Sequence, residues 1–177
     1  FIIELLPLAV LLVDYNAIIS QPRLLADFES IGQTSRWNRG ETIQLTSTQK
    51  KNHHHSVLKV KLGTQRYEGT SLGYFPRNWA DANNFHAEVF NADKRPEELH
   101  VKIDDLTAIK LGNPYSERFN SSQRLTPGWN TIDIPTPLIR EGPADRRMDL
   151  TQIFSVTLFF VDRQQPGYML IDNLRLE

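Results

Sequence analysis

Leu125-Thr-Pro-Gly-Trp-Asn-Thr-Ile-Asp-Ile-Pro135 is the stretch that decides the fold class, read together with the final Ile171-Asp-Asn-Leu-Arg-Leu176. Pro127 presets φ for a turn and Gly128 accepts the backbone conformation that a following turn position demands. That turn feeds a strand opening on Trp129, and the chain closes on a short strand with an aspartate inside it. Antiparallel jelly rolls commonly close in this way. The reading is therefore all-β: a two-sheet antiparallel jelly-roll sandwich, with a hydrophobic helix at the N-terminus.

Working outward, apolar residues from Leu24 onward recur in runs of roughly four to eight bounded by Gly, Pro, Asn and Asp, which is the period and punctuation of strands. Strands are predicted near 24–28, 37–40, 43–46, 56–62, 69–74, 84–90, 98–104, 116–125, 130–134, 153–160 and 167–176, and short helical turns at 78–82, 137–140 and 149–152. In the run from Ile153 to Val161, counting by twos puts Phe154, Val156, Leu158 and Phe160 on a core face. Ser155, Thr157 and Phe159 fall on a second face that meets a polar neighbour or a groove.

The chain has 177 residues, enough for one self-sufficient domain with an appendage, so no metal or disulfide is required for folding. Twenty basic against twenty-one acidic residues leave a net charge of -1, which argues against a field that draws the protein onto nucleic acid. The absence of cysteine excludes thiol catalysis, cysteine zinc sites and disulfide stapling. The first thirteen residues are mostly apolar, too few to span a bilayer, which takes about 20 in a helix. They are read as the end of a membrane helix or a helix docked on a membrane or partner, with a buried amphipathic helix as the alternative and Asp14 to Arg23 as a linker. The domain boundaries follow: 1–23 for the hydrophobic segment and linker, 24–177 for the sandwich.

No phosphate loop, Gly-x-Ser-x-Gly, His-Glu-x-x-His or dinucleotide fingerprint is present, and the expectation is a protein that is not an enzyme. Asp104 and Asp105 are neighbours on a strand and point to opposite faces, so they cannot flank one glycosidic bond. On that strand His100, Lys102 and Asp104 share a side, and on the next Arg118 and Asn120 do. If the two strands pair, Asp104 and Arg118 can form an ion pair flanked by Asn120, either as an ordinary polar sheet face or as a ligand site. Sugar rings dock on aromatic planes, and Tyr67, Tyr74, Trp79 and Tyr115 are the candidate platforms. His53-His54-His55 reads as a polar hairpin loop or a transition-metal tract. Asp27 and Glu29 of the first strand and Asp172 of the last offer carboxylates for a hard oxygen site suited to calcium, or stand as unrelated solvated edges.

The order Asp27-Phe-Glu29, Leu58-Lys-Val-Lys-Leu62, Trp79, Val89-Phe-Asn91, Ile103-Asp-Asp105, Arg118-Phe-Asn120, Pro127-Gly-Trp-Asn130 and Ile171-Asp-Asn-Leu174 resembles the galactose-binding-like jelly rolls. Those include carbohydrate-binding modules and the complex I intermediate-associated protein family, and the resemblance is closest to the soluble domain of VanZ-like bacterial membrane proteins. It implies a structural calcium held at Glu29 and Asp172. It also implies a non-catalytic binding or assembly domain at a bacterial membrane surface, on the extracytoplasmic (periplasmic) side, possessing partners through residues 1–23. The alternative is a carbohydrate-binding module for a cell-envelope glycan, with Tyr67, Tyr74, Trp79, His100, Asp104, Tyr115, Arg118 and Asn120 as the binding residues.

Overall fold

The computed structural model describes residue 9 and residues 12–16, 18–30, 32–37, 43–50 and 53–177, with the backbone alone for 43–45, 47–50 and 53–55. Ten strands are described: β1 (Leu24–Ala26), β2 (Ile43–Lys50), β3 (His53–Leu62), β4 (Tyr67–Leu72), β5 (Asn84–Asn91), β6 (Glu97–Asp105), β7 (Phe119–Leu125), β8 (Gly128–Pro135), β9 (Ile153–Val161) and β10 (Gly167–Leu176). Two five-residue helices, α1 (Leu106–Lys110) and α2 (Thr136–Arg140), and two 3-10 turns, Gln33–Arg36 and Tyr115–Glu117, interrupt them.

The strands form the two antiparallel sheets of a jelly-roll sandwich. One runs β2-β3-β10-β5-β8 with β1 also paired to β10, and the other runs β4-β9-β6-β7. Alternation explains why these segments become strands: Leu99, Val101 and Ile103 of β6 and Val156, Leu158 and Phe160 of β9 turn inward. They meet Phe85, Ala87 and Val89 of β5 and Met169 and Ile171 of β10 in one core. Full burial of each large apolar side chain contributes roughly 1.5–3 kcal/mol.

Departures from strict alternation have local causes. The register shifts between Asp104 and Asp105 where they face β9, so Ile153 rather than Phe154 enters the core. Phe154 stays half-buried under the Arg77 guanidinium, 4.8 Å away. The first strand ends at Ala26 because Phe28 adopts φ 59, and the buried Gln33 carboxamide accepts the backbone N–H groups of Asp27 and Phe28. At the other end β10 bulges at Asp172 and Asn173, the latter at φ 53, where its neighbour changes from β3 to β1.

Residues 78–82 and 149–152, expected as helical turns, are irregular or simple turns. The helix at 106–110 was not anticipated, although Asp105 is a good N-cap and accepts from Ala108 N at 2.7 Å. Ser116 and Glu117, expected at the start of a strand, belong instead to the 3-10 turn Tyr115–Glu117. Trp37 makes a single bridge to Leu72, and residues 38–40 lie outside the described ones. His53, His54 and His55 belong to β3 rather than to a loop, paired with Lys50, Gln49 and Thr48; any metal-binding capacity of their side chains lies outside what is described.

Residues 12–16 and 18–20 are helical, where a linker was expected from Asp14 onward. Asp14 is buried and ion-paired to the buried Arg36, whose Nε donates to Asp14 Oδ2 at 2.9 Å. Residues 1–8 lie outside the described residues, and with them most of the expected membrane contact. Among the described residues no helix is long and apolar enough to cross a membrane.

Candidate functional site

The outward positions of the β4-β9-β6-β7 sheet line up in rows because every strand has period two and the registers are fixed. One row reads Gly69, Phe159, His100, Ser122, and the next reads Ser71, Thr157, Lys102, Asn120. Beyond the first row Tyr67 pairs with Val161. Beyond the second, the residues just before β7 bring Tyr115 and Arg118 beside Asn120.

These rows enclose a groove of about 530 Å³ adjoined by a hollow of about 320 Å³, and Tyr67, Arg118 and Phe159 line both. Phe159 is the floor. The His100 ring stacks on it with centroids 5.2 Å apart, and Tyr67 meets it edge-on at 6.0 Å. Gly69, directly opposite Phe159, has no side chain to cover that ring; a Cβ there would sit 2.6 Å from Phe159 Cα and collide with Leu158 O. Around the floor, Ser71 and Thr157 hydroxyls bond at 2.8 Å and Ser122 Oγ meets His100 Nδ1 at 3.0 Å. Asn120 Nδ2 donates to Tyr115 O at 3.0 Å. The arrangement combines exposed ring faces with hydroxyl and amide groups that both donate and accept, which is what a polyhydroxylated ligand requires.

The sequence candidates divide. Tyr67 and Tyr115 are exposed at 61% and 72% and stand at the groove with His100, Arg118 and Asn120. Tyr74 is exposed but does not line the groove. Trp79 is no platform: it is fully buried, stacked on Phe85 with centroids 5.6 Å apart, and its indole N–H donates to Pro76 O at 3.0 Å. Asp104 is also fully buried, and the expected ion pair with Arg118 is not formed. Asp104 accepts from Ser155 Oγ at 2.7 Å and pairs with Lys102 at 3.1 Å, its neighbour two residues back on the same face. Arg118 Nε instead donates to Asn120 Oδ1 at 3.2 Å. Gly69, Ser71 and Ser122 were missed, while Lys102 was placed on the side of His100 and Phe159 and Thr157 on a face meeting a groove, without any of the three being named as a binding residue. The signal for Thr157 and Phe159 was the polar second face of β9.

The groove wall is held by a clamp. Arg146 bonds Asp105 through Nη1 at 2.6 Å and Glu117 through Nε at 2.7 Å, tying the start and end of the segment 105–117. Burial alone would raise the Asp105 pKa, but the hydrogen bonds from Arg146, Ala108 N and Asp149 N outweigh it and hold the carboxyl below its ordinary value.

On the other sheet, Glu29 Oε1 accepts from Ser56 N of β3 at 2.9 Å, and β3 pairs with β10 through Leu58 and Ile171. Glu29, expected in the first strand, lies beyond the end of β1, and Asp172, buried, faces Glu88 across the β10–β5 pair. The donors are carboxylate oxygens, which suit a hard cation. A separate trio, His86, Asp133 and Glu177, brings its ligand atoms within 4.8 Å of one another. His86 Nδ1 already bonds Asp133 at 2.6 Å and Glu177 is paired with Arg175, so this is a hydrogen-bonded charge cluster.

A family 11 carbohydrate-binding module from Clostridium thermocellum, solved in complex with a β-1,3-1,4-mixed-linked tetrasaccharide, is similar over 87% of this chain and 94% of its own, with 20% identity and a TM-score of 0.61. The fold is that of carbohydrate-binding modules. A non-crystalline-cellulose-specific module, CBM28, is 12% identical over 87% of this chain and 93% of its own, with a TM-score of 0.55. An exo-β-agarase is 15% identical over 88% of this chain with a TM-score of 0.68, but the chain spans only 24% of that enzyme. At these identities the likeness is one of fold. No protein-family model and no curated protein matches the chain. The expected closeness to complex I intermediate-associated and VanZ-like proteins finds no support among these structures.

Proposed function

We propose that the chain is a non-catalytic glycan-binding module whose ligand lies across the outer face of the β4-β9-β6-β7 sheet, seated on Phe159 between Tyr67 and Tyr115. The observation that carries this reading is the exposed pair Tyr67 and Tyr115 at a groove floored by an aromatic ring and rimmed by Ser, Thr and Asn side chains. Aromatic faces pack against the C–H faces of sugars, and the rim groups exchange water for sugar hydroxyls at little net cost. Structural likeness to modules solved with or specific for glucans supports the same ligand class. Among the described residues no pair of groove carboxylates is placed to work on a glycosidic bond, since Asp104 is covered and held by Lys102 and Ser155.

Titration calorimetry and affinity electrophoresis against a panel of polysaccharides test this. Binding to at least one glycan is expected, with no new reducing ends released. Tyr67→Ala and Tyr115→Ala should each weaken it about tenfold, the effect of roughly 1.4 kcal/mol. A panel without any ligand, or binding indifferent to both substitutions, would refute the assignment.

A further inference from the structure

We infer that the groove selects an acidic glycan, one whose repeat carries a carboxylate or a sulfate ester. This rests on the glycan-binding reading and narrows it. Among the described residues, no aspartate or glutamate lines the groove or its adjoining hollow, whereas Lys102 lines the groove and Arg118 lines both. Lys102 is neutralised from below by Asp104. Arg118 is not neutralised: among the described residues no carboxylate comes within ion-pair distance of it. The arginines that build the fold differ, since Arg36, Arg146 and Arg163 each hold at least one acid.

Arg118 is nevertheless fixed in place. Its Nε donates to Asn120 Oδ1 at 3.2 Å, its Nη1 to Asn113 O at 3.4 Å, and its guanidinium lies 5.5 Å from the Tyr115 ring centroid. Among the described residues Nη2 has no acceptor. A half-buried, immobilised guanidinium with an unused donor edge is costly beside a neutral chain and favourable beside an oxyanion, whose geometry its planar fork matches. A second cation stands across the groove: Arg66 is exposed and lies 5.3 Å from the Tyr67 ring centroid. Each aromatic wall therefore carries an arginine that, among the described residues, has no carboxylate partner, an arrangement suited to a polymer with charge at intervals.

The 177-residue chain would be titrated with matched pairs that share a backbone and differ in charge: polygalacturonate against its methyl ester, and a sulfated galactan against agarose, with a neutral β-glucan alongside. The charged member of at least one pair should bind about tenfold more tightly at low salt, and the gap should close as sodium chloride is raised toward 0.5 M. Arg118→Gln should remove most of the gap, Arg118→Lys part of it, and Lys61→Gln, on the other sheet, none; melting curves confirm that each variant folds. If neutral members bind as tightly as charged ones, the acidic selection is wrong while glycan binding stands. If no polysaccharide binds, both readings fall. If Lys61→Gln closes the gap as much as Arg118→Gln, the preference is general surface electrostatics and the inference is overturned.

Discussion

Gly69 makes the groove possible, and its effect is steric. It sits where β4 passes closest to β9, opposite Phe159, and any side chain there would both collide with the β9 backbone and cover the ring that forms the floor. Gly69→Ala should therefore lower stability by about 1–3 kcal/mol, the range for overpacking, and abolish glycan binding in the protein that remains folded. A denaturation curve together with a calorimetric titration separates the two effects. Trp79 is the counter-case. Packed between Phe75 and Phe85 and without exposure, it belongs to the core. Trp79→Ala should cost roughly 3–5 kcal/mol of stability and leave the affinity of the folded fraction unchanged, whereas a loss of affinity at unchanged stability would contradict this placement.

Among the elements, the segment from α1 to the 3-10 turn at Tyr115–Glu117 matters most, because it carries the Tyr115 and Arg118 wall. Asp105 caps α1 and Arg146 joins Asp105 to Glu117, so the clamp positions a binding wall from behind. Removing one partner of such a buried pair costs about 3–5 kcal/mol. Asp105→Asn should lower stability on that scale and weaken ligand binding through Tyr115. Because the folded Asp105 pKa lies below its ordinary value of 3.8, the clamp is fully present above that value. It is lost as pH falls through the lower folded value, so the stability difference between the native protein and Asp105→Asn should shrink progressively below about pH 4. At the opposite sheet, a calcium ion at Glu29 and Asp172 is a proposal drawn from the hard oxygen chemistry of the two carboxylates. A ligand that binds only the native state at a hundredfold excess over its dissociation constant adds about 2.7 kcal/mol. Calcium should raise the melting temperature of metal-stripped protein, and Asp172→Ala should cancel the rise; identical melting curves with and without chelator would dismiss the site.

For the molecule as a whole, the open issue is how the N-terminal residues relate to the sandwich. Asp14 and Arg36 are 3% and 5% exposed and form a buried ion pair, which fastens the helical residues 12–16 to the sandwich at one point. Leu12, Val13, Tyr15 and Ile19 nonetheless remain exposed on the same segment. Deleting residues 1–23 should preserve the far-ultraviolet β signature, because β1 begins at Leu24. It should also lower the melting temperature, because Arg36 loses its carboxylate. Asp14→Ala alone should reproduce most of that loss, and an unchanged melting temperature in both variants would return the segment to the role of a linker.

Period and punctuation, which are local, were enough to determine the two-sheet sandwich, most strand positions, the inward set on β6, and the outward set His100, Lys102, Arg118 and Asn120. Alternating residues must part to opposite faces whatever the partner strand is. The expected contact of Asp104 with Arg118 failed because Asp104 is taken by Ser155 across the β6–β9 pair and by Lys102 two residues away on the same face, while Arg118 turns to Asn120. Trp79 looked the same in sequence as an exposed aromatic, since burial depends on which loop folds over it. Phe154 and Ile153 exchanged places through a one-residue register shift, which no periodicity within β9 records. The groove itself exists only because Gly69, Phe159 and His100, up to 90 positions apart in the chain, fall in one row of one sheet. Which strands become neighbours is settled by burying both apolar faces at once, a property of the folded chain and of no segment within it.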